Sequence, residues 1–191
     1  EETGKPLWEA QTEIQGALSK LDATLNAYQE RTGIKQVSMP FGTARLEHRP
    51  LGVLGILGPF NLPLHIPNSQ ILPALLAGNT IVFKPSEQTP RMGELLVRLF
   101  VAAGLPAGVI NLIQGAGQVG SLLAGHPGLN GLFFTGSAKT GVMLHQQFAG
   151  SPEKLLMLEM GGNNPVIVWD TEHIDAAVYH ILHSAFLTAG Q

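Results

Sequence analysis

With 191 residues, the chain is long enough for one sizeable domain with a buried core. Its hydrophobic content of 45% and charged content of 13% exclude an intrinsically disordered chain, and a formal charge of -3 argues against a nucleic-acid partner. The lack of cysteine excludes disulfides and fits a reducing cytoplasm. The seven histidines form no HExxH-type metal-binding pair. Every apolar run is interrupted before it is long enough to span a membrane. We therefore expect a cytoplasmic protein with no metal and no membrane segment.

The first predicted element is a helix over residues 6–32, where apolar side chains recur at helical spacing and Gly33 offers a stop. Residues 34–50 are expected to form an extended connection. The chain lacks an initiator methionine, and its last helical pattern runs to Gln191. We therefore expect a piece of a longer protein.

From Leu51 onward, short apolar runs punctuated by Gly and Pro alternate with helical patterns. The runs predict strands at 53–57, 80–84, 109–113, 132–135, 154–159 and 166–169. The helical patterns predict helices at 68–77, 89–103, 119–124, 138–148 and 175–187. Continuous apolar strands alternating with helices indicate an α/β fold, a three-layer α/β/α arrangement with a mostly parallel sheet. In such a fold, ligands bind in the turns at the carboxyl ends of the strands.

The turns after the first two of these strands carry candidate polar groups. Asn61 lies in a turn held rigid by Pro59 and Pro63, and its amide is a candidate donor to a developing oxyanion, although Asn beside Pro is also a common turn former. In the next turn, Glu87 can accept hydrogen bonds from ribose hydroxyls and Lys84 can donate to them. That pair would favour NAD over NADP, because a 2′-phosphate would face the carboxylate. The alternative is a surface lysine beside a first-turn glutamate.

Two later turns are candidates for phosphate binding. A literal GxGxxG occupies residues 115–120, yet no Asp or Glu occurs between Glu94 and Glu153 to bind a ribose about 20 residues later. A tight strand-to-helix turn and an indirect cofactor contact both stay open for it. The turn at 134–141 is better suited, because Ser137 can cap a helix whose free N–H groups and dipole attract anions. Helix caps by serine are nevertheless commoner than phosphate sites.

Glu159 stands at the end of an apolar strand-like run, directly before a glycine pair, with only Lys154 as a nearby cation. We expect its carboxylate to be buried, and desolvation gives a carboxyl group the proton affinity that a general base needs. The glycines leave room for another backbone or a ligand. A base needs a group to deprotonate, and the chain has no cysteine.

Taken in order, these motifs resemble the aldehyde dehydrogenase superfamily. Its hallmarks are a proline-flanked Asn loop, a KPSE turn, an FTGS turn, an E-x-GG segment and a GQxC segment, of which Gly190 and Gln191 are the first two residues here. The finer sequence around the Asn loop and the glycine pair is most similar to the branch that oxidises N-succinylglutamate 5-semialdehyde in bacterial arginine breakdown. Two positions depart from common relatives, with Phe60 in place of Trp and Asn163 in place of Lys.

The resemblance implies NAD-dependent oxidation of an aldehyde to a carboxylic acid through a cysteine thiohemiacetal and a thioester. It implies Asn61 as oxyanion donor and Glu159 as the base for water, with a second role as base for the thiol left open. It assigns the adenosine ribose to Lys84 and Glu87, and the adenine side to Gly117. The residues assigned to the pyrophosphate are those of the serine-containing turn, namely Gly136, Ser137, Ala138, Lys139, Thr140 and Gly141.

The resemblance also implies a domain assignment. Residues 1–191 correspond mainly to a Rossmann-type NAD-binding domain, with the start of an oligomerisation hairpin near 43–50. The catalytic cysteine is expected two positions beyond Gln191, and most of the catalytic domain after it. The intact enzyme is expected to be a homo-oligomer acting on a small aldehyde. The alternatives are an isolated dinucleotide-binding fragment without catalysis and an aldehyde dehydrogenase of another substrate class.

Overall fold

The computed structural model describes residues 1–190, except for the side chain of Ala189. Gln191, half of the predicted Gly-Gln segment, lies outside the described residues. The helices are α1 Leu7–Arg31, α2 His65–Leu76, α3 Pro90–Ala102, α4 Gly117–Ala124, α5 Ala138–Phe148 and α6 Ile174–Gly190. The strands are β1 Lys35–Met39, β2 Gly42–Leu46, β3 Val53–Leu57, β4 Thr80–Lys84, β5 Ile110–Leu112, β6 Gly131–Gly136 and β7 Leu155–Met160.

Five strands form a parallel sheet in the order β5-β4-β3-β6-β7. Because side chains alternate between the two faces of a strand, the sheet builds an apolar core on each side. One core packs Ile56 and Phe83, both fully buried, against Ile71 of α2 and Leu96 of α3. The other core packs the opposite face against α4 and α5 through Leu57, Ala124, Leu132, Leu144 and Phe148. The predicted three-layer α/β/α fold is confirmed.

The order of the strands creates a switch point in the middle of the sheet. The chain enters at β3, moves outward through β4 to β5, and returns to β6 on the other side of β3. The helix that follows β3 contributes to the first core and the helix that follows β6 to the second. The two connections therefore leave toward opposite faces, and the crevice between them is where α/β sheets bind ligands.

Most predicted elements are confirmed, and one strand is wrong. The strands at 53–57 and 80–84 and the helix at 138–148 have the predicted bounds, and the strands at 110–112, 131–136 and 155–160 differ by one residue at each end. The expected strand at 166–169 is absent, and all four of its side chains are exposed. A strand needs a neighbour for its backbone hydrogen bonds, and β7 is the last strand on that side of the sheet within residues 1–190.

Residues 34–50 contain an antiparallel hairpin rather than an extended connection. Strands β1 and β2 pair from Lys35 opposite Leu46 to Met39 opposite Gly42, around a turn with Phe41 fully exposed at its tip. The hairpin therefore begins well before the predicted range of 43–50, which contains most of the second strand only. Every side chain of both strands is exposed. A role of this hairpin in oligomerisation stays a prediction.

Helix α1 packs on α2 through small and charged residues. Asn68 Nδ2 donates to the carbonyl of Ala17 at 2.9 Å, and Gly16 leaves room for the His65 ring, since a Cβ there would lie 2.6 Å from His65 Nδ1. The apolar stripe of the helix is exposed instead; its residues are Ile14, Leu18, Leu21, Leu25 and Tyr28. The close-packed face of α1 is therefore the one that carries Glu9 and Glu13.

We expect Gly93→Ala to destabilise the protein. A Cβ on this α3 residue would lie 2.6 Å from Cβ of Pro85, and a proline ring cannot rotate away. Overpacking of this kind costs about 1–3 kcal/mol, whereas the same change in an uncrowded helix interior stabilises by about 1 kcal/mol. Urea denaturation of the full-length protein shows whether the substitution lowers or raises the free energy of unfolding. The control is Gly150→Ala, where a Cβ meets nothing within 4 Å, with an expected change below about 0.5 kcal/mol. A variant at Gly93 as stable as wild type would contradict the close packing.

Candidate functional site

The predicted site residues converge on one edge of the sheet. Because the five strands are parallel, their carboxyl ends meet at the same edge. Across that edge lie, in order, the glycine turn after β5, the Lys84 turn after β4, the Asn61 loop after β3, the Ser137 turn after β6 and Glu159 near the end of β7. The Asn61 loop and the Ser137 turn flank the switch point between β3 and β6.

Lys84 joins three of these turns. Its Nζ donates to the carbonyls of Pro85 at 2.7 Å and Gly115 at 2.6 Å, while its own carbonyl accepts from the Gly58 N–H at 3.0 Å. The side chain is buried, and the Glu87 carboxylate lies 3.8 Å from Nζ and is largely exposed. Burial lowers the pKa of Lys84, and the nearby Glu87 opposes this only in part. The two carbonyls are thus the main partners of the ammonium.

The literal GxGxxG serves this lysine and the start of α4. Gly115 supplies the carbonyl that Lys84 binds, with a φ of 147° that favours glycine. Gly117 begins α4 in open space, where a Cβ would meet nothing within 4 Å. No side chain caps this helix, and within residues 1–190 the N–H groups of Gly117 and Gln118 donate to no acceptor. The motif therefore leaves backbone donors accessible at the edge of the sheet.

Ser137 begins α5 in the predicted way. Its Oγ accepts from the Thr140 N–H at 3.2 Å and donates to Thr140 Oγ1 at 3.0 Å. Residues 137–140 are exposed, and in the described chain the N–H groups of Ala138 and Lys139 donate to no acceptor. These donors and the helix dipole favour an anion at this turn.

The two glycines that flank the Ser137 turn provide packing space. A Cβ on Gly136 would lie 2.6 Å from the Phe134 ring, and its carbonyl accepts from the Gly161 N–H at 3.1 Å. Gly141 is buried, and a Cβ there would overlap Met160 of β7. Its N–H already donates to Ser137. A part for these glycines in cofactor binding stays a prediction.

Asn61 presents an unoccupied donor near the switch point. Its Oδ1 accepts from the Leu62 N–H at 3.0 Å, which orients the amide, and within residues 1–190 its Nδ2 donates to no protein atom. The side chain is half-buried. This arrangement suits the predicted oxyanion donor, and the assignment itself stays a prediction.

The loop that carries Asn61 has an anchor that the sequence reasoning missed. Glu13 of α1 accepts from the N–H groups of Leu64 at 2.8 Å and His65 at 3.2 Å, where α2 begins. Its other oxygen accepts from Lys5 Nζ at 2.7 Å, and both side chains are at least 92% buried, with exposures of 2% and 8%. A signal was present in the sequence. Glu13 lies on the helix face of Gly16 and Ala17, beside the apolar stripe, and small residues mark the close-packed face of a helix.

Glu159 is exposed, contrary to the expectation of a buried carboxylate. In β7, Leu156 and Leu158 turn toward the core with α4 and α5, whereas Glu159 shares the opposite face with Leu155 and Met157. Within residues 1–190, all three side chains on that face of this edge strand are exposed. Its position near the carboxyl end of β7, opposite Thr135 of β6, is nevertheless at the predicted edge. Its role as a base stays a prediction.

Neither a membrane-spanning helix nor a metal-binding cluster occurs within residues 1–190. No helix within residues 1–190 is long and apolar enough to cross a membrane. The same residues contain no group of three or more His, Asp or Glu side chains that could hold a metal ion.

Comparison with known proteins gives consistent matches along the whole chain. The aldehyde dehydrogenase family profile matches residues 1–191. The N-succinylglutamate 5-semialdehyde dehydrogenase of Ectopseudomonas mendocina (strain ymp) is 58% identical over 191 residues, which are 100% of this chain and 39% of that protein. The chain therefore spans about two fifths of the length of such relatives.

Solved structures also match along nearly the whole chain. The crystal structure of a Mycobacterium tuberculosis aldehyde dehydrogenase complexed with NAD+ has a TM-score of 0.91 at 31% identity, covering 100% of this chain and 39% of that one. The crystal structure of an E. coli NADP-dependent enzyme has a TM-score of 0.88 at 38% identity, covering 98% of this chain and 39% of that one.

We expect Lys84→Met to destabilise the full-length protein by about 1–3 kcal/mol, because it leaves the carbonyls of Pro85 and Gly115 without their donor. The control is Lys35→Met in the exposed hairpin, with a change below about 0.5 kcal/mol. Urea denaturation at several pH values measures both.

The difference in stability between wild type and Lys84→Met should depend on pH in one direction. Because burial lowers the pKa of Lys84 in the folded protein, the native state releases this proton before the unfolded chain does. The stability advantage of wild type over Lys84→Met therefore grows as the pH rises through the lowered pKa toward the ordinary value of lysine. A difference that shrinks over that range would contradict the burial of the ammonium.

Proposed function

The chain belongs to the aldehyde dehydrogenase family, and we propose that it is the NAD-binding part of an enzyme that oxidises an aldehyde to a carboxylic acid. The observation that carries this proposal is the convergence of Asn61, Lys84, Glu87 and Ser137 on one edge of the sheet, around its switch point. The likeness to a dehydrogenase complexed with NAD+ supports the choice of cofactor.

The donor set at this edge fits a dinucleotide. Glu87 offers exposed carboxylate oxygens to ribose hydroxyls, and Lys84 lies beside it. The free N–H groups at the start of α5 suit the pyrophosphate, and the open space at Gly117 suits the adenine side. NAD+, when bound, supplies the hydride acceptor for aldehyde oxidation. We propose NAD rather than NADP, because the Glu87 carboxylate would repel a 2′-phosphate.

The proposed chemistry needs a cysteine in the sequence that follows Gln191 in the full-length protein. Its thiolate adds to the aldehyde carbon, and Asn61 Nδ2 donates to the oxygen as it becomes negative. The C–H bond of this adduct then breaks, its hydride would pass to the acceptor that the bound cofactor supplies, and the carbonyl of a thioester forms as the oxyanion collapses. Glu159 then removes a proton from a water molecule, which adds to the thioester carbonyl and expels the thiolate, leaving the carboxylic acid.

We propose N-succinylglutamate 5-semialdehyde as the substrate, supported by the 58% identity to a dehydrogenase named for it. We also propose that the intact enzyme is a homo-oligomer that uses the β1-β2 hairpin, because its exposed strands and apolar tip offer an edge for pairing.

A second candidate applies to the chain taken alone, because it contains no cysteine. Residues 1–191 would then bind NAD+ without oxidising any aldehyde. Isothermal titration of residues 1–191 with NAD+ measures binding, and an assay for NADH formation measures aldehyde oxidation. Oxidation of an aldehyde by residues 1–191 alone would exclude this second candidate.

We expect Glu159→Gln in the full-length protein to lower steady-state NADH formation from N-succinylglutamate 5-semialdehyde by about 10²–10⁴-fold, because an amide cannot accept the proton of water. A first-turnover burst of NADH should persist, since oxidation precedes hydrolysis. The control is Glu153→Gln, an exposed carboxylate before β7. Full steady-state turnover by Glu159→Gln would exclude the base assignment.

We expect Glu87→Gln to reduce the preference for NAD+ over NADP+ by about tenfold, which corresponds to 1.4 kcal/mol. Removing the negative charge removes the repulsion of a 2′-phosphate, while the amide oxygen still accepts from a ribose hydroxyl. The ratio of kcat/KM for the two cofactors measures the effect. Glu94→Gln, on the exposed surface of α3, serves as the control. An unchanged ratio would show that another group discriminates against the phosphate.

A further inference from the structure

We propose that Glu13 is a positioning residue for Asn61, held in place by its buried ion pair with Lys5. The proposal rests on the function proposed above, in which Asn61 donates to the oxyanion. Glu13 belongs to α1, outside every motif of the carboxyl edge. Its carboxylate nevertheless reaches the first backbone N–H groups of α2, at 2.8 Å for Leu64 and 3.2 Å for His65.

This contact fixes one end of the loop that carries Asn61. The other end is fixed by the hydrogen bond of 3.0 Å from the Gly58 N–H to the Lys84 carbonyl. Between the two anchors lie only residues 59–63, of which two are prolines with a fixed φ. With both ends held and few free dihedrals, the backbone position of Asn61 depends directly on where Glu13 holds the start of α2.

The direction of the Asn61 amide depends on the same backbone. Its Oδ1 accepts from the Leu62 N–H at 3.0 Å, so Nδ2 points where the backbone of Leu62 directs it. Leu62 lies two residues before the first N–H group that Glu13 binds. A shift of the Glu13 anchor therefore shifts both the position and the aim of the donor.

The anchor is built to be rigid and charged. Lys5 Nζ lies 2.7 Å from the carboxylate, and both side chains are almost fully buried. A negative carboxylate at a helix N-terminus is favoured by the helix dipole, and the lysine compensates its burial. The neighbouring His65 does not replace that cation, because burial lowers its pKa, with Lys20 adding to the effect and Glu13 opposing it.

Helix α1 is itself locked against α2 at this point. The His65 ring lies against Gly16, and Asn68 donates to the carbonyl of Ala17 at 2.9 Å. Glu13 therefore cannot follow a displaced loop without separating the two helices. This makes it a fixed reference for the loop rather than a flexible surface contact.

The test uses the full-length protein and a cycle of substitutions at two positions. We expect Glu13→Ala to lower kcat by about 10- to 100-fold, because a displacement near 1 Å of a catalytic group costs about that much. The KM for NAD+ should change by less than about twofold, since the ribose and pyrophosphate turns are not held by Glu13. In an Asn61→Ala background, the further change of Glu13 should cost less than about twofold in kcat.

The charge pair has its own prediction. Lys5→Met leaves Glu13 buried without a cation and should lower kcat, as should Glu13→Gln, which leaves Lys5 uncompensated. The double variant with Lys5→Met and Glu13→Gln keeps an acceptor for Leu64 and His65 and removes both charges. We expect its kcat to return to within about threefold of wild type. If Glu13→Ala does not fold, this set of three variants carries the test.

The matched control is Glu2→Gln. Glu2 caps α3 in the same way, accepting from the N–H groups of Arg91 and Met92 at 2.9 Å each, and within residues 1–190 it makes no hydrogen bond to the Asn61 loop. Its effect on kcat should be the same with and without Asn61→Ala. A wild-type kcat in every Glu13 variant, or a loss that is equal with and without Asn61, would overturn the proposal.

A separate measurement distinguishes this failure from a failure of the proposed function. If the wild-type protein forms no NADH from any aldehyde, the function is wrong, and kcat says nothing about Glu13. Amide hydrogen exchange still reports on the anchor. Glu13→Ala should speed exchange at Leu64 and His65, and Glu2→Gln should not; unchanged exchange at both residues would overturn the anchoring role.

Discussion

The site depends first on a buried ammonium. Lys84 Nζ binds the carbonyls of Pro85 and Gly115, and its backbone carbonyl binds Gly58, so one residue joins the turns after β3, β4 and β5. Hydrogen bonds to a charged group contribute about 1.5–3 kcal/mol each, and an unpaired buried carbonyl costs a comparable amount. The burial of the charge is therefore offset only while the turns after β4 and β5 stay in place. The Gly58 hydrogen bond ties the turn after β3 to the same residue, which makes the positions of the three turns cooperative.

The parallel sheet explains how one lysine can reach three turns. Parallel strands end at one edge, and glycines let the turns beyond them approach closely. Gly58 admits the Pro67 side chain and Gly93 admits Pro85, and a Cβ on either glycine would overlap that proline. At this edge, the glycines leave space next to the backbone, and the rigid rings of the prolines pack into that space.

Much of this could be predicted from the sequence, and the failures share a cause. The central strands and α5 have apolar patterns and caps that local rules interpret correctly, and the Asn61, Lys84 and Ser137 turns lie at the predicted edge. The burial of Glu159 and the strand at 166–169 were wrong because both depend on a neighbour beyond the edge strand β7, which no local pattern specifies. The Glu13 anchor was missed because its partners lie 51 and 52 positions away in sequence.

The helix N-termini divide into two electrostatic classes, and the division explains where an anion would bind. On one face of the sheet, α2 and α3 are capped by the carboxylates of Glu13 and Glu2, so their positive ends already face negative charge. On the other face, α4 has no side-chain cap and α5 has a neutral serine, Ser137. Backbone donors remain accessible only on this second pair within the described helices α2 to α5. An anion, such as the phosphate of the proposed dinucleotide, is therefore favoured on the α4 and α5 side. The Asn61 loop at the switch point then stays free for its proposed contact with the reacting carbonyl.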